Sequence, residues 1–186
     1  MVKDMDKKEL RIKIKNKVSC LTQEYIDISS EKIQKTVISS SCFKNSSSIF
    51  IYVSTAYEPG TSLIIKTALK EDKRVYVPKC IAKGVMIPVR IDKESVLKPG
   101  FMNIPEPEEA MQENDVRIDL AVIPCVSVDL KGNRLGHGGG FYDIFLEKTD
   151  AEKVCLCFSE LLCDEIPTVK HDIKMDKVIT ENSGAF

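Results

Sequence analysis

Five of the chain's nine glycines fall between positions 132 and 140, in the segment Asp129-Leu130-Lys131-Gly132-Asn133-Arg134-Leu135-Gly136-His137-Gly138-Gly139-Gly140-Phe141-Tyr142-Asp143. Ordering so much glycine costs backbone entropy. It is useful where backbone N–H groups must come close to an anion. Arg134 and Lys131 add full charges, and an arginine fork can grip a phosphate through two bonds at once. Asp143, placed in the first turn of the helix expected next, could hold Mg²⁺ beside phosphates. No Gly-Lys-Ser/Thr follows, so this is not a Walker loop, and Phe141 at the third glycine position excludes G-x-G-x-x-G. Phosphate or nucleotide binding is the expectation, and a flexible surface loop with a basic residue is the alternative. His137 within the loop could bind phosphate or move a proton. Cys125 has no activating partner nearby in sequence and is not expected to be a nucleophile. Lys7 and Arg11 are four apart and share a helical face; taken alone, they read as a solvated basic face. Glu58, before Pro59-Gly60, reads as a turn residue, Asp172 as a loop aspartate, and Val53 as core.

These residues need a frame. Leu10, Ile14, Val18 and Leu21 fall at helical spacing, and Ile26, Ile33 and Val37 predict a second helix ending near Ser39. The serine-rich stretch 39–48 reads as a loop. Apolar, β-branched runs predict strands at 49–53, 74–78, 85–91, 120–124, 154–158 and within 173–179. Pro78 is expected to stop its strand, and Pro88 to put its own at an edge or an irregular place. Thr61 or Ser62 can cap a helix over 63–69, and another begins near 142. Residues 98–117, rich in Pro, Glu and Asn, read mostly as loop. Helices alternating with short continuous apolar strands predict a mainly parallel sheet covered on both faces. Ligands then collect beyond the C-terminal strand ends, which points to the loops after Val53, Val77 and Ile123.

The 186 residues suit one domain, 1–186. Lys plus Arg number 27 against 28 for Asp plus Glu, a balance that gives no support for nucleic-acid binding. Seven cysteines without a C-x-x-C pair point to reduced thiols rather than a disulfide framework or zinc ribbon. No apolar run approaches the roughly 20 residues that cross a bilayer, and the charged start is not a signal peptide. A cytoplasmic monomer with no membrane contact is expected.

Pro124 to Asp143 resembles the signature of the 5-formyltetrahydrofolate cyclo-ligase, or 5,10-methenyltetrahydrofolate synthetase, family. Pro124, Asp129, Gly132, Arg134, Leu135, Gly136, Gly138, Gly140, Phe141, Tyr142 and Asp143 stand at its fixed positions. The resemblance covers nearly the whole chain. It takes in Lys7-Lys8-Glu9-Leu10-Arg11, Glu58 after the first strand, Val77-Pro78-Lys79, Ile104-Pro105-Glu106-Pro107 and His171-Asp172. Cys125 and Ser127 depart from the usual small residues, and Phe141 from tyrosine. The resemblance implies a Rossmann-like α/β fold related to the sugar-phosphate isomerase and CoA-transferase scaffold. It implies ATP and Mg²⁺ as co-substrate and metal, and 5-formyltetrahydrofolate, polyglutamylated or not, as substrate; Lys79 and Lys83 could attract a polyglutamate tail. By the same resemblance, Lys7, Lys8, Arg11, Arg134 and the loop from Leu135 through Gly136, His137, Gly138, Gly139, Gly140, Phe141 and Tyr142 would bind ATP. Lys7, Arg11 and Arg134 would serve catalysis. Val53, Glu58, His137, Gly138, Gly139, Gly140 and Phe141 would contact folate, and Asp143 and Asp172 would hold the metal. The competing reading is a phosphate-binding sugar isomerase or acyl-CoA transferase-like enzyme, whose base would have to be Asp129 or Glu58.

Overall fold

The structure, a computed structural model, describes residues 5–101, 104–108 and 116–184. Parts of the 98–117 segment therefore lie outside the described residues.

Asp6 starts the first helix, α1 (Lys7–Val18): its carboxylate accepts the Lys8 and Glu9 amides, and Glu9 accepts the Asp6 amide in return. This reciprocal cap fixes the helix from its first turn, and Leu10 and Ile14 bury its inner face. Thr22 caps α2 (Gln23–Ser39). A short helix, α3 (Ser41–Asn45), replaces the loop expected there. Serine favours caps as much as loops: Ser40 accepts the Phe43 amide at 3.3 Å, and the Phe43 ring is fully buried.

β1 (Ser48–Ile51) leads through α4 (Ser62–Lys70) to β2 (Arg74–Ala82) and β3 (Val85–Ile91). Thr61 occupies the cap position of α4 without capping it. Its hydroxyl instead accepts the Ser54 amide, and Ser54 accepts the Thr61 amide, which closes the loop that carries Glu58. Then come β4 (Leu97–Pro99), β5 (Pro105–Pro107), β6 (Leu120–Ile123), β7 (Ser127–Val128), β8 (Arg134–Leu135), α5 (Phe141–Leu146), β9 (Glu152–Leu156) and β10 (Lys177–Ile179).

Six strands form one sheet in the order β10-β9-β6-β1-β2-β3, parallel except for β3. All four residues of β1 and of β6 are buried, as expected of strands covered on both faces. Phe50 stacks against Phe145 of α5 with ring centroids 4.3 Å apart. Alternation sends its neighbours Ile49 and Ile51 to the opposite face.

β2 does not stop at Pro78 but runs on to Ala82. Pro78 lies opposite Pro88 in the antiparallel pair with β3. Two prolines can face each other only at a pair that exchanges no N–H bonds. Beyond Tyr76, β1 no longer pairs with β2, so the Pro78 nitrogen needs no partner on that side either. Residues 97–107 also hold more than loop: β4 and β5 form a small hairpin with Leu97 opposite Pro107.

The chain crosses from β1 to β2 on one side and later returns to β6 on the other. The carboxyl ends of β1 and β6 thus flank a topological switch point, where a crevice must open. β7 and β8, with the turn between them, deliver the glycine loop to that crevice. Asp129 holds the turn: its fully buried carboxylate accepts the amides of Lys131, Asn133 and Ile166 and the Asn133 side chain. Gly132 sits at φ +87°, and an added Cβ would lie 2.3 Å from the Met175 carbonyl oxygen. Gly132→Ala should therefore lower stability by about 2 kcal/mol or more. For a chain of this size that is a melting-point drop of roughly 4–8 °C. An unchanged thermal unfolding curve would show that the turn is not held as described.

Candidate functional site

A cleft of about 700 Å³ opens at the switch point. Val53 and Thr55 reach it from the end of β1, Pro124 from the end of β6, and Pro78 and Cys80 from β2, which runs past the end of the sheet. The loop expected after Val77 does not exist, yet that stretch still lines the cleft as strand.

Cations gather at one part of the cleft. α1 presents Lys7 and Arg11 together, while Lys8, about 100° round the helix, is exposed and outside the cleft. Arg11 Nε donates to the Gly136 carbonyl at 2.7 Å, clamping the glycine loop to α1. Gly138, at φ +97°, lies against the Arg11 guanidinium; this backbone suits glycine and keeps the loop close to the cation. Leu135, by contrast, is fully buried and contributes only core packing and backbone.

Arg134 is not a free surface clamp. It is 7% exposed. Nη2 donates to Asp143 at 2.8 Å, Nη1 to the Pro124 carbonyl at 3.3 Å, and the guanidinium lies 5.5 Å from the Tyr142 ring centre. Its Nε is buried with no hydrogen-bond partner. Such an orphan is costly, and here it belongs to the cation that supports the glycine loop from below. Burial pushes the Tyr142 hydroxyl well above its ordinary range, so it stays neutral.

Both candidate metal carboxylates line the cleft. Asp143 Oδ1 accepts the Ile173 amide at 3.2 Å, next in sequence to Asp172. Asp172 accepts Lys7 Nζ at 2.6 Å and the Val169 amide at 2.7 Å. Burial works against its charge, but the Lys7 hydrogen bond and the Val169 amide hold the carboxyl below its usual range. Among the described residues no three His, Cys, Asp or Glu side chains form a metal cage. That donor set still fits Mg²⁺, which keeps several waters and takes one or two carboxylates together with substrate phosphates.

The remaining wall is apolar, with Val53, Met86, Ile104, Phe141 and Ile144 among its residues. Phe101 faces Phe141 with centroids 5.8 Å apart. Glu58 reaches the cleft with Oε2 held by the amide and hydroxyl of Thr55, both at 2.8 Å. Its Oε1 lies 3.9 Å from Nε2 of the exposed His137. His171 lines the cleft beside Asp172. Sequence reasoning assigned no site role to Tyr52, Cys80, Met86, Phe101, Ile104 or Glu106, all of which line the cleft. Of these, Ile104 and Glu106 stood in the Ile104-Pro105-Glu106-Pro107 segment that the resemblance takes in.

Of the two carboxylates that could serve an isomerase as base, Asp129 is sealed in its turn by four N–H donors and cannot reach a substrate, whereas Glu58 does reach the cleft. At Cys125 the Cys155 thiol favours ionisation, but the Cys157 thiol and burial push the group well above the ordinary thiol range. It is no nucleophile at neutral pH.

The sequence model of the 5-formyltetrahydrofolate cyclo-ligase family matches residues 3–181. The 5-formyltetrahydrofolate cyclo-ligase of Mus musculus is 31% identical over 195 residues, covering 96% of this chain and 95% of that protein. That of Saccharomyces cerevisiae is 30% identical, covering 93% and 94%. The solved 5,10-methenyltetrahydrofolate synthetase of Aquifex aeolicus superposes with a TM-score of 0.84 at 30% identity, covering 96% of this chain and 91% of its own. A synthetase from Mycoplasma pneumoniae shares the fold, with a TM-score of 0.76 at 19% identity, covering 96% of this chain and 100% of its own.

Proposed function

The chain belongs to the 5-formyltetrahydrofolate cyclo-ligase family, and from that premise we propose that it converts 5-formyltetrahydrofolate and ATP to 5,10-methenyltetrahydrofolate, ADP and phosphate. The observation that supports this reading is one cleft with a cation cluster and glycine loop at one part and an apolar, carboxylate-bearing wall at another.

The chemical obstacle is the formyl oxygen, which would otherwise have to leave as oxide or hydroxide. Transfer of the γ-phosphoryl group to that oxygen gives an iminium phosphate. N10 of the same folate then attacks the formyl carbon, and inorganic phosphate departs with the former formyl oxygen. No protein nucleophile is needed, so the protein works by positioning and charge compensation.

Lys7 and Arg11 bind the ATP phosphates. Backbone N–H groups of Gly136, Gly138, Gly139 and Gly140 line the same anion site, and Arg134 holds the loop and adds its charge from beneath. Lys7 exchanges Asp172 for phosphate when nucleotide binds. Asp143 and Asp172 would hold Mg²⁺, directly or through water, and the metal would supply charge neutralisation for the phosphates. Val53 and Phe141 flank the folate, Glu58 accepts an N–H from it, and His137 contributes to binding at the mouth.

We read 1–186 as one domain acting as a cytoplasmic monomer. Among the described residues no helix is long and apolar enough to cross a membrane. Kinship with sugar-phosphate isomerase and CoA-transferase scaffolds rests on the family resemblance alone. Lys79 is a weaker candidate for a polyglutamate tail, because its Nζ already donates to the carbonyls of Pro107 and Glu108.

The test is near-ultraviolet absorbance of the protein with 5-formyltetrahydrofolate and Mg²⁺. The methenyl chromophore should grow only when ATP is added, with one ADP released per turnover. No growth, with a known cyclo-ligase active in the same buffer, would contradict the reading.

A further inference from the structure

The cyclisation needs no protein nucleophile, yet it releases a proton. N10 carries a hydrogen when it attacks the formyl carbon and none in the methenyl product. Until that hydrogen leaves, the new bond can simply reverse, so an acceptor beside N10 speeds the step. The glycine loop determines which side chain is beside N10. The formyl oxygen has to face the phosphates at this loop, and N10 joins the carbon that bears that oxygen. Between Leu135 and Phe141 the loop reads Gly136-His137-Gly138-Gly139-Gly140, so His137 has the one side chain it can offer.

The surroundings of His137 suit an acceptor. Its imidazole lines the cleft and is exposed, so a proton taken from substrate can pass on to water. Nε2 lies 3.9 Å from Glu58 Oε1. Thr55 holds the other Glu58 oxygen by two bonds at 2.8 Å and leaves Oε1 to face the ring. A carboxylate only accepts, which favours the imidazole tautomer with its hydrogen on Nε2 and leaves the lone pair on Nδ1. The same carboxylate stabilises the imidazolium once it forms, and such pairs are often long before substrate binds. Arg11 of α1 is the opposing charge. It touches the residues on either side of His137, donating to the Gly136 carbonyl and lying against Gly138. Phosphates bound at Arg11 offset that charge in the working complex.

The other candidates in the cleft are committed. Burial holds the Tyr142 hydroxyl neutral, and burial and the Glu106 charge push the Cys80 thiol up to about 11. Glu106 takes the Cys80 amide and packs against Gly100. Asp143 and Asp172 are bonded to Arg134 and Lys7, and His171 lies beside Asp172. Resting on the cyclo-ligase reading, we propose that His137, oriented by Glu58, is the base that takes the N10 proton. The N10–carbon bond forms, the N10 hydrogen passes to Nδ1 of His137, and the carbon–oxygen bond then breaks with its electron pair going to phosphate. His137 returns the proton to water.

The test is single-turnover growth of the methenyl chromophore with saturating ATP, Mg²⁺ and folate, the rate without ATP subtracted, across the imidazole range of about pH 5–8. The wild-type rate should fall toward low pH, because a charged imidazole cannot accept a proton. His137→Ala should be slower by about 10²-fold at neutral pH and should lose that acid limb. Its melting curve and its steady-state KM values should change little. Added imidazole should restore the rate in proportion to its uncharged fraction, and pyrazole, of the same shape but far less basic, should not. A His137→Ala rate within about threefold of wild type, a loss confined to KM, an unchanged acid limb or a loss that imidazole does not restore overturns the assignment. Wild-type protein that forms no methenyl product with ATP overturns the cyclo-ligase reading itself, an outcome visible before any variant is made.

Discussion

Arg134→Ala should lower kcat/KM by about 10³-fold, in line with the loss of a fixed group that stabilises transition-state charge. The effect has two sources that can be separated. The first is electrostatic: a cation about 4 Å from a phosphate charge is worth roughly 4 kcal/mol at an effective dielectric near 20. The second is structural. Removing Arg134 strips Asp143 of its partner at 2.8 Å and leaves the Pro124 carbonyl unmet. Breaking a buried pair from one side costs about 3–5 kcal/mol in other proteins; here Asp143 keeps partial solvent contact, so a smaller loss is expected. Arg134→Lys restores charge but not the fork that reaches both partners, and should recover only part of the activity. Activity of Arg134→Ala within tenfold of wild type, in protein shown to be folded, would remove Arg134 from the mechanism.

Lys7→Gln should raise KM for ATP and lower kcat, each by roughly 10- to 100-fold, as expected when a charge-assisted phosphate contact is lost. Binding of folate alone should not change. Because α1 is held by the Asp6 and Glu9 cap and by Leu10 and Ile14, none of which is altered, the fold should survive. The variant also frees Asp172 from its 2.6 Å partner. Mg²⁺ should therefore bind Lys7→Gln no more weakly in the absence of nucleotide than it binds wild type, although turnover falls. A Lys7→Gln protein with normal ATP kinetics would make the α1 cations a solvated face after all.

Much of this was legible in the sequence, for identifiable reasons. β1 and β6 are continuous apolar runs and could hardly be anything but buried strands, so the crevice between their ends followed. The glycine loop stood out because so much glycine is otherwise wasteful. What escaped depended on partners distant in sequence. Pro78 reads as a stop unless one knows that Pro88 faces it. Ser40 reads as loop unless Phe43 has a core to enter. Lys8 and Arg11 look equivalent until the helix phase is fixed by Leu10 and Ile14. Arg134 looks like an exposed clamp, because nothing local reveals that Asp143 and Pro124 will close over it. Glu106 became visible as a site residue only once β5 had folded back onto Cys80.

The most direct measurement of the central claim follows the formyl oxygen. 5-Formyltetrahydrofolate labelled with ¹⁸O in the formyl group would be turned over with ATP, and the released phosphate examined by ³¹P magnetic resonance. Phosphorylation of the formyl oxygen predicts that the label appears in inorganic phosphate, one atom per turnover. Label found in water, with unlabelled phosphate, would contradict it.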